Sequence, residues 1–278
     1  RSFLGNRWLE RPSDARVAMG LAQQFDLPEI IGRLLSSRGI DTDGVSAYLN
    51  PKLNTLLPDP LHLLGMNEAV QRLSDAIKKG QKISVFGDYD VDGATSSALI
   101  YRYFQAIGID LRIYIPDRLK EGYGPTKSAM DQLKSEGTDL VITLDCGTAA
   151  HDCLSYAKQK GLDVVVVDHH VAEAGLPEAI AVINPNRLDE DSPHRQLAAV
   201  GVTFLLIIAL NRGLRDKGYF SDQNISEPNP LQWLDLVALG TVADVVPLTG
   251  VNRAFVVQGL KVMAMRKNPG LVALGDVS

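Results

Sequence analysis

The sequence predicts an α/β fold in which a mostly parallel sheet carries helices on both faces and follows a helical N-terminal extension. After residue 80, short apolar β-branched runs alternate with amphipathic helical patterns, which is typical of covered parallel sheets. Before that residue the apolar spacing is helical. We therefore expect a helical extension over residues 1–80, an α/β domain over 81–265, and the start of a linker to a further C-terminal domain over 266–278.

The N-terminal extension contains three predicted helices. Residues 12–25 and 28–37 have helical apolar spacing, with Pro28 near the start of the second helix. Residues 50–64 are rich in proline and leucine and are predicted to form an ordered loop. Asn67 is predicted to cap the third helix, which Gly80 ends.

The α/β domain is predicted from runs that alternate along the chain. The apolar runs predicted as strands are residues 83–86, 111–115, 140–144, 164–167 and 181–183. The predicted helices are residues 94–107, 126–135, 149–160, 197–210, 231–239 and 252–265. In parallel sheets, ligands bind beyond the carboxyl ends of the strands. Residues that directly follow these runs are therefore the first candidates for a functional site.

Composition excludes several classes of protein. No apolar run reaches the roughly 18–20 residues of a membrane span. Cys146 and Cys153 are too few for a disulfide framework and are not spaced as a zinc knuckle, so we expect reduced thiols in a cytoplasmic protein. The formal net charge of −5 is unlike that of a protein that coats nucleic acid. A phosphate substrate stays open, because bound cations would neutralise a carboxylate cluster.

Acidic and histidine residues stand at the ends of several apolar runs. These candidates are Asp88, Asp90, Asp92, Asp145, Asp168, His169, His170 and Asp244. An acid and two imidazoles at the end of a buried strand cost free energy unless they bind something. Carboxylates together with imidazole suit Mn²⁺, with Mg²⁺ as the alternative. We predict two such ions bridged by one carboxylate, an arrangement that suits in-line displacement at phosphorus.

Two other interpretations of the first acidic motif explain less. Asp88, Asp90 and Asp92 match the first half of a calcium-binding EF-hand loop, but Leu99 stands where the loop needs a bidentate glutamate. The motif also resembles the nucleophile loop of haloacid dehalogenase phosphatases, in which Asp90 would attack phosphorus. That interpretation leaves the Asp168-His169-His170 triplet without a role.

Taken in order, four motifs resemble motifs I to IV of the DHH phosphoesterases. They are GDYDVDG at 87–93, DCG at 145–147, DHH at 168–170 and GTVADVVPL at 240–248. More specifically, they resemble those of bacterial exonucleases that degrade single-stranded DNA from the 5′ end. The supporting stretches, which extend the resemblance over nearly the whole chain, are residues 7–8, 48–51, 57–60, 116–124, 184–186 and 252–253.

The resemblance implies a role for each motif residue. The implied metal ligands are Asp88, Asp90, Asp92, Asp145, His169 and Asp244, with Asp145 as the bridge. His170 would face the scissile phosphate and Asp168 would orient its neighbours, so Asp145, His170 and Asp168 are the implied catalytic residues. Phe86 stands where distant family members have a metal-binding histidine, and Asp88 would complete that site instead.

The implied substrate contacts lie outside the four motifs. Arg118 and Lys120 follow the second strand, where an arginine can clamp a phosphate, and Tyr123 can stack on a base. A solvated basic turn is the alternative for this loop, and Arg253 is a further candidate. The resemblance implies a two-metal exonuclease that releases mononucleotides from single-stranded DNA in repair and recombination. The implied partners are a single-strand-binding protein and a helicase.

Two other functions remain open on the same fold. One is a phosphoesterase acting on short oligonucleotides or small phosphate substrates. The other is a scaffold without catalysis, which the complete set of motif carboxylates disfavours.

Overall fold

A computed structural model describes residues 2–7, 9 and 11–277 of the chain. The chain divides into two units, Arg1–Lys52 and Leu53–Ser278. Trp8, which belongs to one stretch of the resemblance, and Ser278, the last residue of the predicted linker, lie outside the described residues. Within the described part, no helix is both long enough and apolar enough to cross a lipid bilayer.

The N-terminal unit is helical, as predicted. Its helices are α1 (Ala15–Gln24), α2 (Glu29–Ser36) and α3 (Val45–Leu49). Asp14 caps α1 by accepting hydrogen bonds from the amides of Arg16 and Val17. Helices α1 and α2 approach closely at Gly32, where a Cβ atom would lie 2.2 Å from the carbonyl oxygen of Ala18. The close contact between these two helices therefore requires glycine at position 32.

The second unit contains one sheet of five parallel strands in the order β2-β1-β3-β4-β5. The strands are β1 (Ile83–Gly87), β2 (Arg112–Tyr114), β3 (Leu140–Leu144), β4 (Asp163–Val167) and β5 (Ala181–Ile183). The helices of this unit are α4 (Leu53–Leu56), α5 (Met66–Lys79), α6 (Val91–Ala106), α7 (Lys127–Ser135), α8 (His151–Gln159), α9 (Ala199–Asp216), α10 (Tyr219–Asp222), α11 (Leu234–Ala243), α12 (Gly250–Ala264) and α13 (Pro269–Val277). Short 3₁₀ turns cover Pro60–His62 and Pro230–Trp233.

Hydrophobic side chains cover both faces of this sheet. In β4, Val165 and Val167 belong to a core cluster that includes residues of α5, α6 and α9. Val164 and Val166 belong to a second cluster with residues of α7 and α8. Because successive side chains of a strand point to opposite faces, a strand buried on both sides reads as a continuous apolar run. This confirms the predicted fold class.

Helix α5 differs from the prediction at its start. The predicted cap, Asn67, is wrong: it lies within the helix, and Gly65 precedes the first helical residue with a φ of 81°. A Cβ atom at Gly65 would lie 2.7 Å from the carbonyl oxygen of Val182, so the chain needs glycine there. Gly80 ends the helix as predicted. Because α5 packs against β5 and α9, it belongs to the second unit, which begins at Leu53.

Candidate active site

Three aspartates lie side by side at the carboxyl edge of the sheet. The backbone ladder continues one residue beyond each strand: the amide of Asp88 donates to Leu144 O (3.1 Å), that of Asp145 to Val167 O (2.9 Å) and that of Asp168 to Ile183 O (3.1 Å). The parallel register thus carries each aspartate to the same level of neighbouring strands. This explains why residues 57 and 23 positions apart in the sequence meet (145 − 88 and 168 − 145).

The carboxylates and histidines form three overlapping groups of potential metal ligands. Within each group, the three ligand atoms lie within 4.8 Å of one another. The groups are Asp88 with Asp90 and Asp145; Asp145 with His169 and His170; and Asp92 with His169 and Asp244. Asp145 and His169 each belong to two groups. The structure therefore brings together every residue that the sequence suggested as a metal ligand.

Unpaired carboxylate oxygens indicate that this cluster suits cations. Among the described residues, Asp88 Oδ1, Asp145 Oδ1 and Asp244 Oδ2 are buried and have no hydrogen-bond partner. Burial raises the pKa of Asp88 and of Asp244. Burial, followed by the charges of Asp92 and Asp90, raises the pKa of Asp145 to about 10. Buried acceptors without donors are costly, and divalent cations would satisfy them.

Asp145 itself has an unusual backbone conformation. Its φ of 61° lies in the left-handed region, which few residues other than glycine adopt. Its Oδ1 lies 3.3 Å from His169 Nε2 and 3.9 Å from His170 Nδ1. Local strain of this kind persists where the surrounding structure enforces it, often at functional sites.

The first turn of α9 holds Asp92 in place. Asp92 Oδ2 accepts a hydrogen bond from the amide of Ala199 (2.6 Å), and Oδ1 accepts one from the amide of Val200 (2.9 Å). Both amides belong to a helix start that has no cap of its own. Burial nevertheless raises the pKa of Asp92 to about 6. Helix α9 thus fixes one carboxylate from the buried side while His169 Nε2 lies 3.8 Å from its Oδ2.

Asp168 organises the histidine pair by accepting several hydrogen bonds. Its oxygens accept from the amides of Thr148 (3.0 Å), His169 (2.8 Å) and His170 (3.2 Å), and Oδ1 lies 2.7 Å from His170 Nδ1. Burial alone would raise the pKa of Asp168, but the hydrogen bond and charge of His170 and the amide of Thr148 outweigh it and lower the pKa to about 2. The same hydrogen bond raises the pKa of His170. Since Asp168 occupies Nδ1, Nε2 is the ring nitrogen of His170 that remains for another partner.

Two asparagines support the histidine backbone; both lie in the 184–186 stretch that supports the resemblance, which implies no individual role for them. Asn184, fully buried, donates to His170 O (2.8 Å) and to Thr148 Oγ1 (2.9 Å). Asn186 donates to His169 O (2.6 Å). The sequence signal that could have identified these asparagines as part of the site is their position directly after β5, at one more strand end on the same edge of the sheet.

Asp244 reaches the cluster from a helix rather than from a strand. It follows the last residue of α11, and its Oδ2 lies 3.6 Å from His169 Nε2. Helix α11 packs so tightly against α6 and α9 that a Cβ atom at Gly240 would lie 2.3 Å from Thr95 Oγ1 and 2.8 Å from Val200 Cγ1. The closeness of these helices brings the fourth motif to the sheet edge.

The candidate substrate residues are placed differently from one another. Tyr123 donates its hydroxyl hydrogen to Asp145 O (3.2 Å) and its oxygen lies 3.2 Å from His170 Nδ1. The Arg118 guanidinium lies 5.3 Å from the ring centre of Tyr89, which stands between Asp88 and Asp90. Lys120, 82% exposed, pairs instead with Asp117 of its own loop at 3.2 Å. Arg253 lies in the first turn of α12.

The fold and this site place the chain in a family. The family model for the DHH family, N-terminal domain, matches residues 82–241, and the chain belongs to this family. It is 44% identical over 255 residues to the single-stranded-DNA-specific exonuclease RecJ of Salmonella typhimurium, a match that covers 91% of this chain and 44% of that relative.

Solved structures give the same result. A crystal structure of exonuclease RecJ bound to manganese has a TM-score of 0.61 and 38% identity, covering 74% of this chain and 49% of that one. A structure of RecJ in complex with Mn²⁺ from Thermus thermophilus has a TM-score of 0.73 and 30% identity, covering 97% of this chain and 36% of that one. The chain thus spans less than half the length of each of these proteins.

Proposed function

We propose that this chain is the catalytic part of an exonuclease that hydrolyses single-stranded DNA from its 5′ end and releases mononucleotides. The observation that carries the proposal is the cluster of carboxylates and histidines at the ends of β1, β3, β4 and α11. Relatives named as exonucleases specific for single-stranded DNA support the substrate. We further propose that residues 81–265 act as the DHH domain and that residues 266–278 begin a linker.

Two divalent cations, Mn²⁺ or Mg²⁺, are the cofactors that fit the residues. Asp88, Asp90 and Asp145 would hold one ion, and Asp92, His169 and Asp244 the other, with Asp145 close enough to His169 to serve both. Bound cations of this kind supply Lewis acidity and lower the pKa of water. Imidazole in the ligand set favours Mn²⁺ over Mg²⁺, and two of the similar crystal structures contain manganese.

The remaining side chains would orient the scissile phosphate. His170 presents Nε2 outward because Asp168 holds Nδ1, so that a phosphate oxygen can be contacted from this side. Tyr123 is anchored on the backbone of Asp145 and limits where the substrate lies. Arg118, stacked beside the first motif, would clamp a neighbouring phosphate, and Lys120 and Arg253 would contact phosphates farther along the strand.

The cellular setting belongs to the same proposal. An enzyme that acts on single-stranded DNA during repair and recombination needs a helicase to expose the strand and meets single-strand-binding protein on it. Two unpaired, buried cysteines accord with a reducing cytoplasm.

Substitution of the shared ligand tests the proposal directly. We expect Asp145→Asn to lower the rate of single-strand degradation with Mn²⁺ by at least about a thousandfold, because this one side chain would contribute to holding both ions. Asp110→Asn, at an exposed position of the same unit, is the matched control and should keep full activity. Mn²⁺ titration of both variants gives a second readout, in which only Asp145→Asn should lose binding.

The substrate is tested with end-labelled strands of increasing length. A 5′ label should appear as mononucleotide at the earliest times, and long strands should be preferred. Release from the 3′ end, preference for dinucleotides, or full activity of Asp145→Asn would each refute part of the proposal.

A further inference from the structure

One group of potential metal ligands is assembled from three separate elements. Asp92 lies in the first turn of α6, His169 lies in the segment after β4, and Asp244 follows the last residue of α11. Ligands carried by different elements hold an ion well only when their positions are fixed to within about 0.5 Å. The contacts that join these elements therefore decide whether the group can act as one site.

The backbone of residues 195–200, which we call the α9 entry segment, makes contacts toward all three ligands. At its C-terminal end it holds Asp92 directly, because the amides of Ala199 and Val200 donate to that carboxylate (2.6 and 2.9 Å). At its N-terminal end, two backbone carbonyl oxygens accept hydrogen bonds from asparagines that support the other two ligands. The segment thus lies at the point where the three elements are connected.

Asn186 connects the α9 entry segment to His169. Its Nδ2 donates to His169 O (2.6 Å) and to Arg195 O (3.0 Å). One side-chain amide therefore joins the backbone of a metal-ligand candidate to the first residue of the segment. Because the imidazole is carried by this backbone, a shift of the segment would also shift the ring.

Asn252 connects the α9 entry segment to the turn that carries Asp244. It is fully buried in the first turn of α12, and its Nδ2 donates to Gln196 O (2.6 Å) and to Pro247 O (3.1 Å). Within this turn, Val245 has a φ of 60°, which is rare for a β-branched residue, and its side chain is 86% exposed. Since an exposed side chain gains little from packing, contacts elsewhere in the turn must maintain this strained conformation.

We propose that the α9 entry segment sets the distances among Asp92, His169 and Asp244, and that Asn186 and Asn252 are positioning residues for the cation that this group would hold. This inference rests on the proposed function, which assigns the second cation to these three ligands. Displacement of the segment would move all three ligands relative to one another. The other proposed cation, held by carboxylates after β1 and β3, would be affected less.

Binding of Mn²⁺ to the whole chain, measured by titration calorimetry, tests the proposal. Wild type should bind two ions. Asn186→Ala and Asn252→Ala should each weaken one binding step about tenfold and leave the other within about twofold. Asn186 is only half-buried, so its variant gives the result even if loss of the buried Asn252 unfolds the chain. Asn211→Ala is the matched control and should keep both steps, because this buried asparagine bonds Glu227 and Tyr103 instead.

Combining the two substitutions shows whether both act through the same segment. Each one frees the α9 entry segment, so the double variant Asn186→Ala/Asn252→Ala should lose about 20-fold in the affected step rather than the product of the single losses, about 100-fold. Asn211→Ala should add no further loss of Mn²⁺ affinity to Asn252→Ala. Residues that only stabilise the fold would lower the free energy of unfolding without producing this pattern.

The outcomes separate this inference from the proposed function. Unchanged binding in the single variants, equal weakening of both steps, or losses that multiply in the double variant would overturn the α9 entry segment as the common support but leave the exonuclease in place. A wild-type chain that binds no divalent cation overturns both.

Discussion

Asn184 offers a sharp test of how the histidine pair is held. Its side chain makes three hydrogen bonds in a fully buried position: to His170 O (2.8 Å), to Thr148 Oγ1 (2.9 Å) and from the amide of Asn186 (2.8 Å). Asn184→Ala removes all three. At about 1 kcal/mol for each buried hydrogen bond, we expect the free energy of unfolding to fall by about 3 kcal/mol.

The same change should weaken metal binding beyond its effect on stability. Removing a group that hydrogen-bonds to a metal ligand typically lowers metal affinity by about 10- to 100-fold, so we expect a loss of Mn²⁺ affinity of that size. Titration at a temperature where the variant remains folded measures the affinity, and urea denaturation measures the stability.

Asn211 supplies the matched control for Asn184. It is also a buried asparagine, and it bonds Glu227 (2.6 Å) and Tyr103 (3.3 Å) within the same unit. Asn211→Ala should lose stability but keep its Mn²⁺ affinity. If both variants bind Mn²⁺ as tightly as wild type, the asparagine does not position the histidines and our reasoning is refuted.

Three further predictions concern packing, pH and substrate. Gly240→Ala should destabilise the protein by about 2 kcal/mol in urea denaturation because its new Cβ would clash with α6 and α9, whereas Gly20→Ala, with open space around it, should stabilise by about 0.5–1 kcal/mol. Burial raises the pKa of Asp92 from its ordinary value of 3.8 to about 6, so the folded state binds more protons than the unfolded state between these pH values. Stability without metal should therefore fall as pH rises through this range; a rising curve in EDTA would contradict this. Arg118→Ala should weaken single-strand binding about tenfold in fluorescence anisotropy and Lys120→Ala less than twofold, since Lys120 pairs within its own loop; equal losses would contradict the assignment.

The strands were the most predictable part of the fold. Runs such as Val164 to Val167 are buried on both faces, so that only a covered parallel sheet accommodates them. Helix starts were less predictable. Asn67 has the chemistry of a cap, but the close approach of Gly65 to Val182 O decides where α5 begins, and this contact joins segments more than 100 residues apart. Helix α6 begins at Val91 rather than at residue 94, since Asp90 caps it.

The residues of the candidate site could be predicted from the sequence, but the groups that hold them in place could not. Carboxylates after β1, β3 and β4 had to converge once the sheet was parallel. The amides that hold Asp92 come from Ala199 and Val200, 107 and 108 positions away, and no local pattern indicates such a pairing. Lys120 has the chemistry of a phosphate contact, and its pairing with Asp117 on an exposed turn limits the contribution to strand binding that we expect from it.

The origin of the ligand candidates in separate parts of the chain has a consequence for folding. They come from residues 88–92, 145, 169–170 and 244, and no short fragment contains a complete set. A cation that binds only the folded chain adds RT ln(1 + [M]/Kd) to the free energy of unfolding, about 2.7 kcal/mol at a hundredfold excess over Kd. That gain requires β1, β3, β4 and α11 to be assembled together. Chelation should therefore lower the melting temperature of the whole second unit. The availability of metal would then affect how long the protein stays folded as well as its catalytic activity.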